Sequence, residues 1–204
     1  MLFEDTYQTI EKYSEGTFRD RGSKFIGRAY PVTTEDEAKN ILSEIRKKYH
    51  DANHHCYAYR IGFDKSTFRT NDDGEPSGTA GRPIFGQIQS KDLTNILIIV
   101  TRYFGGTLLG VSGLINAYKT SAAEALLNAN IITKNVYDVY EITYDYAIMN
   151  EVMKMLKDKH ADIISTNFEM TCNVVFKIRK SLSDMIYEYF KKLNSVTINY
   201  LRTE

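Results

Sequence analysis

The segment from Asn71 to Pro83, NDDGEPSGTAGRP, concentrates residue types that do chemistry in proteins. It carries three carboxylates, two small hydroxyls and one arginine, and it has no apolar run that would enter a core. Neighbouring carboxylates suit a hard cation or acid–base work. The N–H groups of SGTAG suit an anion, with Arg82 adding positive charge. No nucleophile–base spacing and no full ligand set accompanies the segment, so we expect no catalytic residue, metal or cofactor here.

A second segment, TRYFGG, ends an apolar run at residues 101–106. Two compatible interpretations are open for its arginine. Arg102 and Tyr103 emerge together at the strand end, where such a pair stacks on a base or clasps a carboxylate. Alternatively, Arg102 forms an internal salt bridge with one of the three acids of the preceding segment.

Two further motifs resemble known sites without their essential residues. GGTLLGVS, from Gly105, has P-loop spacing, but Val111 stands where the phosphate-binding lysine belongs, so we expect no nucleotide hydrolase. HDANHH, from His50, resembles a zinc-protease motif with Asp51 replacing the glutamate. The helical pattern is already ending there, which favours a histidine that hydrogen-bonds the nearby loop over a metal ligand.

Both helices and strands are predicted around these segments, and they must position them. The pair YQTIEKYS and SKFIGRAYPV is predicted as two strands that pair with each other. Thr34 and Glu37 form a capping-box pattern before a helix. HCYAYRIGF is a strand, a short helix is expected from Pro83, and NILIIVTRYF reads as a strand buried on both faces. A glycine-rich turn then leads to a helix from about Ser112 to Asn128.

The last third of the chain predicts a separate domain. Strand patterns alternate with two helical ones, and the second helix has apolar residues at helical spacing in SLSDMIYEYFKKLN. The resulting order, β-α-β-β-α-β, is that of the ferredoxin-like unit. We therefore predict an α+β chain of two domains, residues 1–135 and 136–204.

Composition limits the classes of partner and compartment. The chain has 26 basic and 26 acidic residues. Before the cut after Asn135 there are 17 basic and 16 acidic residues, and after it 9 and 10, so RNA binding requires a local basic patch. The acid-containing N-terminus lacks the features of a signal peptide. Cys56 and Cys172 form no CxxC motif. These features predict a cytoplasmic protein.

Together, DDGEPSGTAGRP, VTRYFGG and LGVSGLINAY resemble the signature of the YigZ/IMPACT family, and the likeness extends upstream through SKFIGRAYPV and ANHHCYAYRIG. The resemblance implies a first domain similar to the fold shared by domain two of ribosomal protein S-five and the GHMP kinases. It implies a second domain similar to a C-terminal domain of elongation factor G. Eukaryotic relatives act in translational control by competing for an activator of an initiation-factor kinase.

The resemblance also implies which residues contact a partner or an anion. These are His54, Asp73, Glu75, Ser77, Gly78, Thr79, Gly81, Arg82, Thr101, Arg102, Tyr103, Gly105 and Gly106. This chain departs from the family pattern at three positions. Leu108, Ser112 and Asn116 stand where the family commonly has lysine, glycine and arginine. The loss of two cations weakens a phosphate-binding interpretation of the loop that contains them.

Three functions follow from these observations. The first is a non-enzymatic, translation-associated protein that binds RNA or a ribosomal partner. The second is a protein-interaction module without nucleic acid, which the balanced charge favours. The third is an enzyme with an acidic site around Asp73, Glu75 and His54. The oligomeric state is not predicted.

Overall fold

The computed structural model describes residues 5–204; residues 1–4, the start of the stretch assessed for a signal peptide, lie outside them. The chain forms two compact units, Gln8–Lys134 on the one hand and residues 5–7 with Asn135–Glu204 on the other. Both units combine helices with β-sheets, so the two-domain α+β prediction is confirmed. Within residues 5–204, no helix is long and apolar enough to span a membrane.

The first unit is built on a five-stranded sheet and three helices. Its elements are β1 (Thr6–Ile10), β2 (Ser14–Asp20), β3 (Ser23–Pro31), α1 (Glu35–Lys48), β4 (His54–Ile61), β5 (Thr67–Asn71), α2 (Gly81–Ser90), β6 (Ile96–Tyr103), α3 (Gly110–Leu127) and β7 (Ile131–Asn135). The sheet order is β2-β3-β6-β4-β5, and all neighbours are antiparallel. Strands β1 and β7 form a separate two-stranded sheet.

Strand β6 lies in the centre of the sheet and is buried on both faces. Ile98 and Val100 pack in a core with α2 and α3, whereas Leu97 and Ile99 pack in a second core with α1. Because successive side chains of a strand point to opposite faces, this sandwiching explains the near-continuous apolar run. The same alternation sends Arg102 toward α3 and its two neighbours toward the α1 face.

Helix α1 begins where the capping pattern predicts. The side chain of Thr34 accepts a hydrogen bond from the Glu37 backbone N–H at 3.2 Å. The Glu37 carboxylate returns to the backbone N–H of Thr33, at 2.6 Å, rather than to that of Thr34. The two side chains thus satisfy one backbone N–H in the first turn of the helix and one just before it.

The predicted pairing of the first two strands is wrong. SKFIGRAYPV forms β3, but its partner is β2 (Ser14–Asp20), and YQTIEKYS contains β1, which pairs with β7 instead. Strand β2 is mostly polar and contains Gly16, so its sequence lacks the apolar alternation that predicts a strand. The glycine is required because a Cβ there would lie 2.5 Å from the α3 residue Glu124.

The second unit has the predicted order β-α-β-β-α-β. Its elements are β8 (Tyr137–Asp145), α4 (Met149–Asp158), β9 (Asp162–Phe168), β10 (Thr171–Arg179), α5 (Lys180–Lys191) and β11 (Val196–Thr203). The sheet order is β11-β8-β10-β9. Apolar side chains of β8 and β10 form one core with those of α4 and α5.

Candidate functional site

The loop between β5 and α2 is folded around the carboxylate of Asp72. Its Oδ1 accepts hydrogen bonds from the backbone N–H groups of Ala80 and Gly81 at 3.0 and 2.8 Å, and its Oδ2 accepts one from Gly78 at 2.9 Å. Burial tends to raise the pKa of this carboxyl, but the three N–H donors outweigh it and lower the pKa. Asp72 is therefore an internal anion that occupies three of the five N–H groups of SGTAG.

A buried ion pair lies beneath the same loop. Arg102 donates to Glu75 Oε1 at 2.6 Å, and the hydroxyl of Tyr118 donates to the same oxygen at 2.7 Å. The side chains of Glu75 and Arg102 are only 4% and 7% exposed. The Arg102 guanidinium also lies 5.6 Å from the centre of the Phe104 ring. Of the two interpretations of Arg102, the structure shows the internal salt bridge, with Glu75 as the partner.

The neighbouring acid, Asp73, joins the loop to β4 and α1. Its carboxylate pairs with Arg46 of α1 at 2.6 Å and accepts the backbone N–H of His55 at 2.7 Å. The His54 ring nitrogen Nδ1 lies 2.8 Å from the Asp73 carbonyl oxygen, as expected for a histidine that holds the loop. His54 Nε2 is 3.9 Å from Glu75 Oε1. These contacts bring His54, Asp73, Glu75 and Arg102 together, and these four residues with Asp72 are called the loop cluster below.

Five other predicted residues lie apart from that cluster. Thr101 is buried on the α1 face, where its hydroxyl accepts from Arg28 at 3.0 Å. Tyr103 lies on that same face and donates to Asp51 at 3.2 Å. Ser77 in the loop and Arg82 in the first turn of α2 are both exposed. Thr79 is buried and donates to the Pro76 carbonyl oxygen at 2.7 Å.

The two glycines that follow Phe104 have different roles. Gly105 packs against the turn between β2 and β3, where a Cβ would lie 1.9 Å from the carbonyl carbon of Gly22. Gly106 has a φ of 86° and nothing within 4 Å of an added Cβ. Gly105 is needed for close backbone approach, and Gly106 for its left-handed conformation.

An enzymatic function for this cluster requires a group free to exchange protons or attack a substrate. Glu75 Oε1 and both carboxylate oxygens of Asp73 already accept the hydrogen bonds described above. The nearest thiol, Cys56, is fully buried and donates to the Asp72 carbonyl oxygen, and burial raises its pKa. A protonated, inaccessible thiol is a poor nucleophile. The contacts of the Asp73 carboxylate, Glu75 Oε1 and the Cys56 thiol stabilise the loop.

A basic groove that the sequence motifs do not mark lies between α1 and the edge strand β5. It has a volume of about 670 Å³ and is lined by Lys39, Leu42, Ser43, Arg46, Lys47, His50, Tyr57 and Arg69. Three basic residues of α1, Lys39, Arg46 and Lys47, fall at i, i+7 and i+8, which is one helix face, and His50 follows just after the helix ends. That spacing was readable in the sequence. The contribution of β5 was not, because TFRTN lacks an apolar alternation.

The cations of the basic groove differ in how they are paired. Lys39 contacts Asp36 on its own helix at 3.0 Å, and Arg46 is paired with Asp73. Across residues 5–204, neither Lys47 nor Arg69 makes an ion pair, and both are exposed. Tyr57 closes the groove from the sheet and is largely buried. The groove therefore presents uncompensated positive charge to solvent.

An apolar surface covers the β6–α3 loop and the start of α3. Leu108 and Val111 are 81% and 60% exposed, and Phe104 and Ile115 are also exposed. No charged residue occurs from Phe104 to Tyr118. Exposed apolar surface without charge is typical of the centre of a protein interface.

Comparisons with known proteins agree with this architecture. A solved structure described as a crystal structure of an hypothetical protein superposes with a TM-score of 0.73 at 24% identity, covering 98% of this chain and 99% of the other. The model of the Impact N-terminal domain matches residues 21–126, which contain the loop cluster and the basic groove.

Two curated relatives carry the same likeness over most of the chain. The IMPACT family member YvyE of Bacillus subtilis (strain 168) is 35% identical over 153 residues, which is 75% of this chain and 70% of the relative. The IMPACT family member YigZ of Escherichia coli (strain K12) is 31% identical over 149 residues, covering 72% and 73%. The domain match and these two relatives establish that the chain belongs to the IMPACT family.

Proposed function

We propose that this protein is a non-enzymatic, cytoplasmic, translation-associated factor that binds RNA through phosphate contacts in the basic groove. The link to translation comes from the family, whose eukaryotic members act in translational control. The link to RNA comes from one observation: the five cationic or titratable side chains Lys39, Arg46, Lys47, His50 and Arg69 line one concave surface of a chain with no net charge. A local patch of this kind is what RNA binding by a neutral chain requires.

The composition of the groove favours contacts to the backbone over contacts to bases. Its aromatic residue, Tyr57, is 8% exposed, so its ring offers little area for base stacking. Lysine and arginine at the rim neutralise phosphates without reading sequence. We therefore expect binding that tolerates changes of RNA sequence and weakens steeply as salt rises.

The family motif supports this groove indirectly. Asp73 holds Arg46 at 2.6 Å, and Asp73 is itself held by the backbone N–H of His55. The loop thus orients one cation of the groove, while Lys47 and Arg69, which form no ion pair among residues 5–204, are available to phosphates. In this proposal the motif residues are positioning residues, and the groove makes the contact.

The test is a salt series of binding to single-stranded RNA and to ribosomal particles. Wild-type protein is expected to bind with a linear dependence of log affinity on log salt. Lys47→Ala and Arg69→Ala should each lower affinity and reduce the slope by about 0.7 per lost phosphate contact. Lys154→Ala on α4 is the control and should leave both unchanged. Absence of binding at low salt, or equal effects of all three variants, would overturn the proposal.

The apolar surface favours a second candidate function, binding of a protein partner without nucleic acid. Leu108, Val111, Phe104 and Ile115 expose apolar area where two family cations are absent. Affinity capture followed by mass spectrometry, with nuclease treatment, tests it. One partner that resists nuclease and is lost with Leu108→Lys supports this function. The control is Leu127→Lys at the far end of α3, which should retain the partner.

A further inference from the structure

A second groove lies in the unit that contains Asn135–Glu204, between α5 and β11. It has a volume of about 400 Å³ and is lined by Tyr140, Asp184, Tyr187, Ile198, Asn199 and Tyr200. Three of these six residues are tyrosines, and one is a carboxylate. The family motifs and the basic groove lie in the other unit, so this groove is not part of either feature.

The three tyrosines form a floor and two walls. Tyr140 is 6% exposed, and its hydroxyl lies 2.5 Å from Ser183 Oγ, which fixes the ring in place. The ring centres of Tyr187 and Tyr200 lie 6.1 and 5.7 Å from that of Tyr140. The planes are inclined at 36° and 71° to the floor, so the rings do not form a parallel stack that would fill the space.

The carboxylate beside these rings is that of Asp184. Within residues 5–204, Asp184 makes neither an ion pair nor a side-chain hydrogen bond. Burial, together with the negative charges of Asp138 and Asp184, raises the pKa of the Tyr140 hydroxyl, which agrees with Asp184 facing this ring. Asp138 differs because it contacts Lys180 at 3.4 Å and accepts from Thr203.

The tyrosine rings and the carboxylate of Asp184 together favour one class of ligand. The faces of aromatic rings attract cations, and several rings around one carboxylate recognise alkylated ammonium groups and guanidinium groups. A hard metal ion requires six or more oxygen ligands, and one carboxylate does not supply them. We propose that the groove between α5 and β11 binds an organic cation, either an alkylammonium or a guanidinium group, against Tyr187 and Tyr200, with the buried Tyr140 as the base of the groove and Asp184 as counter-ion.

One cation of the protein itself lies near this site. Lys191 Nζ is 5.5 Å from the centre of the Tyr187 ring, although Lys191 does not line the groove. The Tyr187 ring thus already accepts a cation–π contact from its own helix. The experiment must separate a bound ligand from this internal contact, and Lys191→Met serves that purpose.

The experiment is a titration of the ¹⁵N-labelled full chain, followed by amide chemical shifts. The probes are tetramethylammonium, methylguanidinium, and a short capped peptide with one lysine or arginine, each against sodium chloride at equal ionic strength. We expect saturable shifts in α5 and β11 and constant shifts in Gln8–Lys134. A peptide that binds tenfold or more tightly than the free cations assigns the group to a polypeptide side chain, and equal affinity assigns it to a free small cation; either result supports the site.

Variants test the roles of the carboxylate and the rings. Asp184→Asn and Tyr187→Leu should each weaken binding by about threefold to fivefold, the range of an exposed ion pair or cation–π contact. The controls are Asp162→Asn on β9 and Tyr146→Leu, both at exposed positions, which should bind as the wild type does. Unchanged amide shifts away from the groove show that each variant is folded.

Three results would overturn the proposal. One is shifts that do not saturate or do not exceed those with sodium chloride. Another is binding that Asp184→Asn leaves unchanged in a folded chain. The third is binding that appears only in Lys191→Met, because Lys191 would then be the cation that the groove holds.

Discussion

The loop cluster beneath residues 72–83 and the basic groove between α1 and β5 use charge in opposite ways. In the loop cluster, Glu75 and Arg102 are buried and matched, and Asp72 is matched by backbone N–H groups. In the basic groove, Lys47 and Arg69 are exposed and form no ion pair with any residue that the structure describes. The charged residues of the sequence motifs therefore stabilise the backbone of the loop. The charge that is open to solvent comes instead from positions on α1 and β5 that no motif marks. The pair Asp73–Arg46 joins the two regions.

The largest expected loss of stability comes from breaking the buried ion pair between Glu75 and Arg102. Glu75→Ala leaves Arg102 buried without its counter-ion, which should lower the free energy of unfolding by about 3–5 kcal/mol. Urea unfolding of the full chain measures this change. Glu44→Ala, at an exposed position of α1, is the control. A loss below about 1 kcal/mol would mean that Glu75 and Arg102 do not form a buried pair.

The double variant Glu75→Gln/Arg102→Met sharpens this test. It removes both charges and keeps side chains of similar size, so it should be more stable than Glu75→Ala. The difference between the loss in the double variant and the summed losses in its two single variants, Glu75→Gln and Arg102→Met, gives the coupling between the residues. Additive losses would contradict the contact.

The next effect concerns the internal anion of the loop. Asp72→Ala leaves the N–H groups of Gly78, Ala80 and Gly81 without their acceptor, which should cost about 1–3 kcal/mol. Asp72→Asn keeps one acceptor oxygen and should cost less. Amide hydrogen exchange at Ala80 and Gly81 reports the loss locally. Exchange rates equal to those of the wild type would show that another group accepts these bonds.

A smaller effect is expected from His55, whose buried ring adjoins the cluster. Burial lowers the pKa of His55 from 6.5, although Asp73 and the Tyr49 carbonyl oppose the shift. The unfolded chain therefore takes up this proton at a higher pH than the folded chain does. The stabilisation is fully present above pH 6.5 and is lost as the pH falls through the folded-state pKa, with a slope of at most about 1.4 kcal/mol per pH unit.

Urea unfolding between neutral and mildly acidic pH measures this slope. His55→Gln removes the titrating group, so its stability should vary less with pH even if it is lower throughout. His160→Gln, at an exposed position, is the control and should keep the wild-type slope. A slope unaltered by His55→Gln would assign the pH dependence to another group.

The smallest stability effect is expected in the basic groove. Lys47→Ala and Arg69→Ala should change the free energy of unfolding by less than about 0.5 kcal/mol, because both side chains are exposed and form no ion pair within residues 5–204. Arg46→Ala should cost more, because it also leaves Asp73 without its partner. Thermal unfolding ranks the three variants. A large loss from Lys47→Ala would show that the groove, like the loop cluster, holds the fold together.

The sequence predicted much of the fold and less of the site. The β-α-β-β-α-β order, the buried strand β6 and the helix start at Thr34 were predicted because each depends on residues close together in the chain. The pairing of β3 with β2 and the existence of β5 were missed. Strands β2 and β5 are polar, and each becomes a strand by pairing with a neighbour rather than through an apolar pattern of its own.

By itself, the sequence determined the family, the helix and strand periodicities, and the balance of charge. Only the tertiary structure decided which charges meet. Glu75, Arg102 and Tyr118 come from a loop, a strand end and a helix, and they converge on one oxygen only when these elements pack. The electrostatic energy of a charged side chain depends on its burial and on the distance to its counter-ion. Both are non-local quantities, so the same residue types are internal in the loop cluster and open to a partner in the basic groove.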